Sequence, residues 1–447
     1  MRRPRAPHLL MMTLALLALT AALPGRAFGQ SVSGNDREAA RTMLHIVRDE
    51  VKKSYFDPQF KGVDIDANFK AAEARLEQAA SNGQMFGIIA QAMLSLNDSH
   101  TFFIPPQRAA RIDYGWRTQM VGDKCYITAV KPGTDAEAKG LKPGDILHVI
   151  DGYSPTRENF WQLTYLYNIL QPRPAVSVVV QSPGEEPRKV DFQASVRQGK
   201  KVLDFSSNSM GDYFDLLREE QEEREVYAHR FQELGKDVLI WKMPAFDLSK
   251  DEVDKYMDRA HDYKAFIIDL RDNGGGYVDT LLRVIGNLFD HDVKVGDVKR
   301  RKETKPLVAH QRGGGKEFKG ELVVLVNSGS ASASELLARV VQLEKRGTVV
   351  GDRTAGAVMV SKWHGFELGV QAYTLYGASI TDADVIMTDN ASLEHAGVVP
   401  DKPALPAGAD MRAQADPVLS YAASLVGVKL EPEKAGALFP PRWKLKP

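Results

Sequence analysis

The chain has 447 residues, 43% of them apolar and 26% charged, and its 58 basic side chains balance 58 acidic ones. This is the profile of an ordinary globular protein of two or three domains, and nothing in it points to nucleic acid as a partner. The lone cysteine, Cys125, excludes an internal disulfide, so stability has to come from packed cores.

The first thirty residues stand apart. Arg2, Arg3 and Arg5 form a basic head, an apolar run extends from Leu9 to Leu23, and Ala27-Phe28-Gly29 offers a small-x-small cleavage site. That is the three-part pattern of a secretory signal peptide, and the run is shorter than the roughly 20 residues of a membrane-spanning helix. Removing residues 1–29 takes away four arginines and no acids, leaving a charge of about −4. The expectation is an exported protein, periplasmic or extracellular, with no membrane span once the signal is gone.

Apolar residues then recur at helical spacing over 37–55 (Ala40, Met43, Val47, Val51), again from about Ile65 to Ala80, and from Met85 to Leu96. They predict an N-terminal helical domain over 31–112, with Pro105-Pro106 as a break. From 113 to 200 the pattern turns to short strands, at Lys124–Val130, Ile146–Ile150 and Val176–Gln181. The run Gly140-Leu-Lys-Pro-Gly-Asp-Ile-Leu-His-Val-Ile-Asp-Gly152 sets tight turns around a buried strand. It resembles a PDZ domain of the kind attached to exported proteases, and by position Tyr114, Gly115, Trp116 and Arg117 would form its carboxylate-binding loop. Residues 201–235, with Glu219, Glu220, Glu222, Glu223 and Glu225, read as a charged linker, and the basic run Lys299–Lys302 reads as a solvated loop.

Residues 236–428 alternate strands (Val238–Lys242, Ala265–Leu270, Leu322–Val326, Thr348–Gly351) with helices (Val278–Leu288, Ser332–Leu343). That order predicts an α/β domain with its ligand site at the carboxyl ends of the strands. The stretch 429–447, rich in proline and lysine, reads as a poorly ordered tail.

Two segments carry chemistry. In the first, a buried strand runs through Val326-Asn327 into Ser328-Gly-Ser-Ala-Ser-Ala-Ser-Glu335 and a helix. A serine there meets free N–H groups and the positive end of the helix dipole. Ser332-Ala-Ser-Glu335 also matches a capping box, in which the serine has only a structural task. In the second, Ile268-Asp-Leu-Arg-Asp-Asn-Gly-Gly-Gly276 follows a strand, and its glycines let backbone approach a ligand closely. The absence of a Gly-Lys-Ser/Thr sequence argues against a nucleotide loop.

Together these segments resemble the tail-specific, or carboxyl-terminal processing, serine protease family. The resemblance implies a crotonase/ClpP-like open ββα spiral for the α/β domain, Ser332 as nucleophile, and an oxyanion hole from the N–H of Ala333 and of Gly275, with Gly276 as the alternative. Many members use a lysine base 25 residues beyond the nucleophile. That position is Ala357 here, and the nearest lysine is Lys362. A second, tricorn-core-like branch uses histidine, and Leu96-Asn-Asp-Ser-His-Thr101 and Ser392-Leu-Glu-His-Ala-Gly-Val-Val-Pro-Asp401 match its segments. This implies His100 as general base, supported by Ser99 and Glu394 in an order the sequence leaves open, while His364 and His395 have no motif behind them. The expected activity is peptide hydrolysis through an acyl-enzyme, acting on protein substrates at C-terminal or unstructured regions. No metal or cofactor is expected, given no His-Glu-x-x-His and no cysteine cluster. The competing readings are an inactive PDZ-containing peptide-binding scaffold and an esterase on the same site.

Overall fold

A computed structural model describes residues 32–106, 110–198, 228–369 and 374–440. The signal-peptide segment and most of the charged linker lie outside the described residues.

Three helices, Gly34–Ser54, Ile65–Leu76 and Asn82–Leu94, open the described chain. The first is started by a capping box, with Ser33 Oγ accepting the Asp36 N–H at 3.1 Å and Asp36 accepting the Ser33 N–H at 2.9 Å. The apolar residues read at helical spacing, Ala40, Met43, Val47 and Val51, are all buried. They do not form a closed domain. Their core continues through Phe103 into Tyr376, Ala378 and Ile380, because strand Phe102–Ile104 pairs antiparallel with the long strand Thr374–Met387 of the second sheet.

Next comes a β-rich unit, five antiparallel strands in the order Trp116–Val121, Lys124–Val130, Ile146–Ile150, Ala175–Gln181 and Arg188–Gln193. Alternate residues such as Cys125, Ile127, Val176, Val178 and Val180 face its core, as the period of two requires. Cys125 is buried there, and burial pushes its thiol up to about 12, which keeps it protonated and inert.

The α/β part has a six-stranded sheet ordered Lys402–Pro403, Thr348–Gly351, Glu321–Val326, Ala265–Asp269, Val238–Lys242 and Arg230–Leu234. All neighbours run parallel except the Arg230–Leu234 edge. Its central strands are buried on both faces, so they read as continuous Val/Ile/Leu runs. A second sheet joins Val293–Arg300, Thr304–Ala309, Val360–Leu368 and Thr374–Met387 to Phe102–Ile104. The boundaries therefore differ from those expected. The α/β part begins at the Arg230 strand, inside the stretch expected to be linker. The expected tail contains helix Pro432–Leu438, whose Ala435 is buried against the sheet beside Val418 and Leu419.

The β-rich unit is fastened to the α/β part by polar contacts. Arg157 pairs with Asp352 at 2.5 Å, and Asp352 also accepts the Gly122 N–H at 2.9 Å. Ser328 donates its hydroxyl to the Met120 carbonyl at 2.5 Å, and Gln119 donates to Asp272 at 2.9 Å. Between the two parts lies a cleft of about 760 Å³.

Candidate active site

Strand Glu321–Val326 ends in a turn that delivers Ser332 to the start of helix Ala333–Leu343. Ser332 has φ 55° and ψ −118°, a conformation that costs a non-glycine residue about 1–3 kcal/mol. The turn is held by its neighbours. Ser330 donates its hydroxyl to the Leu270 carbonyl at 2.8 Å, and the Asn273 carbonyl accepts the Ala331 N–H and the Ser334 hydroxyl, both at 2.9 Å. The cap expected at Ser332 is half formed: Glu335 accepts the Ser332 N–H at 3.1 Å, while the Ser332 side chain makes no cap hydrogen bond. Its hydroxyl is thus left available for other chemistry.

The three glycines differ sharply in their surroundings. A Cβ on Gly275 would stand 2.6 Å from Ser332 Cβ and 3.1 Å from the Ala333 nitrogen, and Gly275 has φ +101°. Gly276, at φ +145°, lies so close to Phe246 that a Cβ would meet its carbonyl at 2.4 Å. The Gly275 N–H donates to Asn273 Oδ1 at 2.8 Å, so the first-choice oxyanion donor is committed to a side chain. Gly276 makes a parallel bridge with Phe246, in which Gly275 O and the Tyr277 N–H take the bonds. Among the described residues the N–H groups of Gly276 and Ala333 have no acceptor.

The loop floor is ionic. Asp269, fully buried, bonds Arg271 at 2.8 Å and Lys242 at 3.2 Å, and Arg271 also pairs with Asp416 at 2.7 Å. Burial raises the Asp269 carboxyl, but the two cations outweigh it and hold the group far below the usual carboxylate range.

His100 sits just after the third helix, on a loop tied down by Asp98. One Asp98 oxygen accepts the N–H groups of His100 (3.1 Å) and Thr101 (2.7 Å) and the Thr381 hydroxyl (2.8 Å), and the other accepts the Tyr55 hydroxyl at 2.7 Å. Ser99 touches the His100 ring, its Oγ 2.7 Å from Nδ1. The same hydroxyl donates to Glu394 Oε2 at 3.0 Å, and the Ser99 N–H donates to Oε1 at 2.7 Å. A hydroxyl that gives its proton to a carboxylate has only lone pairs left for the ring. Nδ1 therefore carries the proton, and Nε2 is the free base. Burial pushes the His100 pKa down, and the opposing pull of Glu394 and Asp98 only partly offsets it, so the ring is neutral at neutral pH.

The two halves meet at Ala357 and Val358. The Ala357 carbonyl accepts the Ser332 N–H at 2.8 Å, and the Val358 N–H donates to Glu394 Oε2 at 3.0 Å. Ser332, Ser99, His100 and Glu394 are thus joined through one short stretch of backbone.

The rival bases lie elsewhere. Lys362 is an exposed residue of strand Val360–Leu368, paired with Asp382 at 2.8 Å. His364 pairs with Glu50 at 3.1 Å, and His395 Nε2 lies 3.0 Å from the Asn97 carbonyl. Tyr114, Trp116 and Arg117 line the cleft together with Leu147, Ile150 and Leu163. Gly115, at φ +79°, packs against Thr134 so closely that a Cβ would clash at 2.7 Å. Asp98 and Asn273 were not singled out in the sequence. Both are short polar residues inside the quoted motifs, one or two positions before a functional residue, and that placement was the available signal. Among the described residues no three His, Cys, Asp or Glu side chains gather in a way that would hold a metal ion.

Residues 237–404 match the family model "Peptidase family S41". The chain is 27% identical over 302 residues to a tail-specific protease of Haemophilus influenzae, covering 62% of this chain and 40% of that protein. It is 26% identical over 331 residues to a chloroplastic C-terminal processing peptidase of Tetradesmus obliquus, covering 69% and 67%. A carboxyl-terminal-processing protease of Picosynechococcus is 25% identical over 358 residues, covering 76% and 78%. Among solved structures, mature CPAF shares the mixed α/β fold, with a TM-score of 0.62 at 14% identity over 85% of this chain and 94% of that one. The family match and these relatives together support placing the chain with the serine peptidases of family S41.

Proposed function

We propose that the protein is an exported serine endopeptidase in which Ser332 attacks the peptide carbonyl and His100 Nε2 takes its proton. The carrying observation is the Glu394–Ser99–His100 hydrogen-bonded chain, tied through Val358 and Ala357 to Ser332. Ser99 fixes the ring tautomer and Glu394 acts through Ser99, a Ser/His/Glu arrangement in place of a Ser/Lys dyad. The Ala333 N–H is one oxyanion donor. Gly276, whose N–H faces away from Phe246, is the other in this conformation, and Gly275 would serve only after releasing Asn273. Each such donor is worth about 2.7–4 kcal/mol in a serine protease. The alkoxide adds to the carbonyl carbon, His100 returns its proton to the leaving amine, and water then hydrolyses the Ser332 ester by the same route.

The β-rich unit we read as a PDZ domain that adds an unstructured C-terminal tail as an extra strand and delivers it through the cleft. The exposed edge strand Trp116–Val121 and the apolar wall of Leu147, Ile150 and Leu163 support that reading. A fluorophosphonate probe tests the enzyme. We expect labelling that Ser332→Ala abolishes, His100→Ala reduces strongly and Lys362→Ala leaves unchanged. Folded protein that does not label would favour the peptide-binding scaffold. Loss of labelling with Lys362→Ala but not with His100→Ala would overturn the choice of base.

A further inference from the structure

We propose that Glu335 is a positioning residue for this reaction: its carboxylate holds the strained Ser332 backbone and locks it to the loop that anchors the His100 chain. The inference rests on Ser332 being the nucleophile.

An ordinary capping box asks one bond of its acid, to the N–H of the cap residue. Glu335 makes that bond at 3.1 Å and then takes three more from a different segment: the Thr354 hydroxyl at 2.5 Å and the N–H groups of Gly356 and Ala357, each at 2.8 Å. The side chain has no exposed surface and no cation beside it, an arrangement that helix capping alone does not require. What it achieves is geometric. Ala357 is held by Glu335 through its N–H and holds Ser332 through its carbonyl, and the next residue, Val358, holds Glu394. Nucleophile and base are thereby set in one frame whose centre is the Glu335 carboxylate. No charged side chain is among the groups that bond it, and the titratable groups reached through the same backbone are Glu394 and His100. Burial pushes the Glu335 carboxyl up to about 7, against four donors that favour its ionised form. The frame is therefore itself titratable near neutral pH: tight when Glu335 is ionised, looser when it carries a proton.

The test follows fluorophosphonate labelling of the full chain from pH 5 to 9, with thermal melting at each pH. In the wild type, labelling should rise through two ionisations, that of His100 below 6.5 and that of Glu335 near 7. Glu335→Gln should melt cooperatively, label about 10²-fold more slowly at pH 8, as a misplaced reacting group does, and keep only the lower ionisation. Thr354→Val leaves the carboxylate but removes a donor to its ionised form, so it should move the upper midpoint to higher pH. It decides the matter if Glu335→Gln does not fold. Wild-type rate and profile in the variant that is read would overturn the role of Glu335 while leaving the nucleophile in place. A wild type that does not label, or a Ser332→Ala protein that does, would remove the nucleophile and this inference with it.

Discussion

Three adjacent glycines give a sharp test of how closely the loop over 274–276 approaches the nucleophile. A Cβ added at Gly274 meets nothing within 4 Å, whereas one at Gly275 would lie 2.6 Å from Ser332 Cβ. Ordinary contacts begin at 3.4 Å, so Gly275→Ala has to push Ser332 or the loop by most of an ångström. Gly275 also has φ +101°, which an L-residue adopts at a cost of about 1–2 kcal/mol. Overpacking adds about 1–3 kcal/mol. The combined loss of about 2–5 kcal/mol predicts a melting temperature lower by roughly 5–15 °C in a protein that still folds. A displacement of that size at a reacting atom costs about 10²-fold in rate. We therefore expect Gly275→Ala to label with fluorophosphonate at least about 10²-fold more slowly than wild type at a temperature where both are folded. Gly274→Ala should label normally and melt within about 2 °C of wild type. Equal labelling by the Gly275→Ala and Gly274→Ala proteins would refute the reasoning, because it would mean the loop does not press on Ser332.

Other consequences follow from the buried polar groups. Asp98→Asn exchanges an acceptor of three N–H and hydroxyl donors for a group that must turn one of them away, so peptide cleavage should fall, by about 10–10²-fold, with Tyr55 and Thr381 left mispaired. Unchanged kinetics would show that the His100 loop does not depend on Asp98. Asp269→Asn leaves Arg271 and Lys242 without their buried partner and should cost about 3–5 kcal/mol in urea unfolding at pH 7. Two groups should tilt stability in opposite directions with pH. The folded pKa of His100 is depressed, so the unfolded chain binds the proton more readily and stability falls as pH drops below 6.5. The Glu335 pKa is raised from 4.5 to about 7, so its contribution is present below 4.5 and is lost as pH rises through 7, to a total of about 3 kcal/mol. His100→Asn and Glu335→Gln should each flatten their own limb of a stability profile measured from pH 4 to 9.

Much of this site was legible in the residue order. Ser332, Ser99, His100 and Glu394 are far apart in sequence, yet each lies in a short motif whose residue types match its task, and the strands that bring them together are uniformly apolar. What the sequence left open was the order of contacts, because Ser99 and Glu394 can each face an imidazole, and only their positions show the hydroxyl in between. The choice between Gly275 and Gly276 could not be read either, since it turns on where Asn273 points its side chain. The second sheet escaped notice for a different reason. Thr374–Met387 buries Ser379, Thr381 and Asp382 and breaks the apolar alternation expected of a strand, because those polar groups are paired across the fold, Thr381 with Asp98 and Asp382 with Lys362. The helix Pro432–Leu438 was hidden by its composition, being short and flanked by proline and lysine, with only Ala435 deeply buried.

The account stands most directly on where a covalent inhibitor lands. In a crystal structure of the fluorophosphonate-inhibited protein, the phosphorus should be bonded to Ser332 Oγ, with one phosphoryl oxygen between the N–H groups of Ala333 and a glycine of the 275–276 pair. His100 Nε2 should then lie within about 2.6–3.2 Å of an oxygen of the adduct. An adduct on another residue, or a His100 ring turned away from it with Lys362 in its place, would contradict the mechanism.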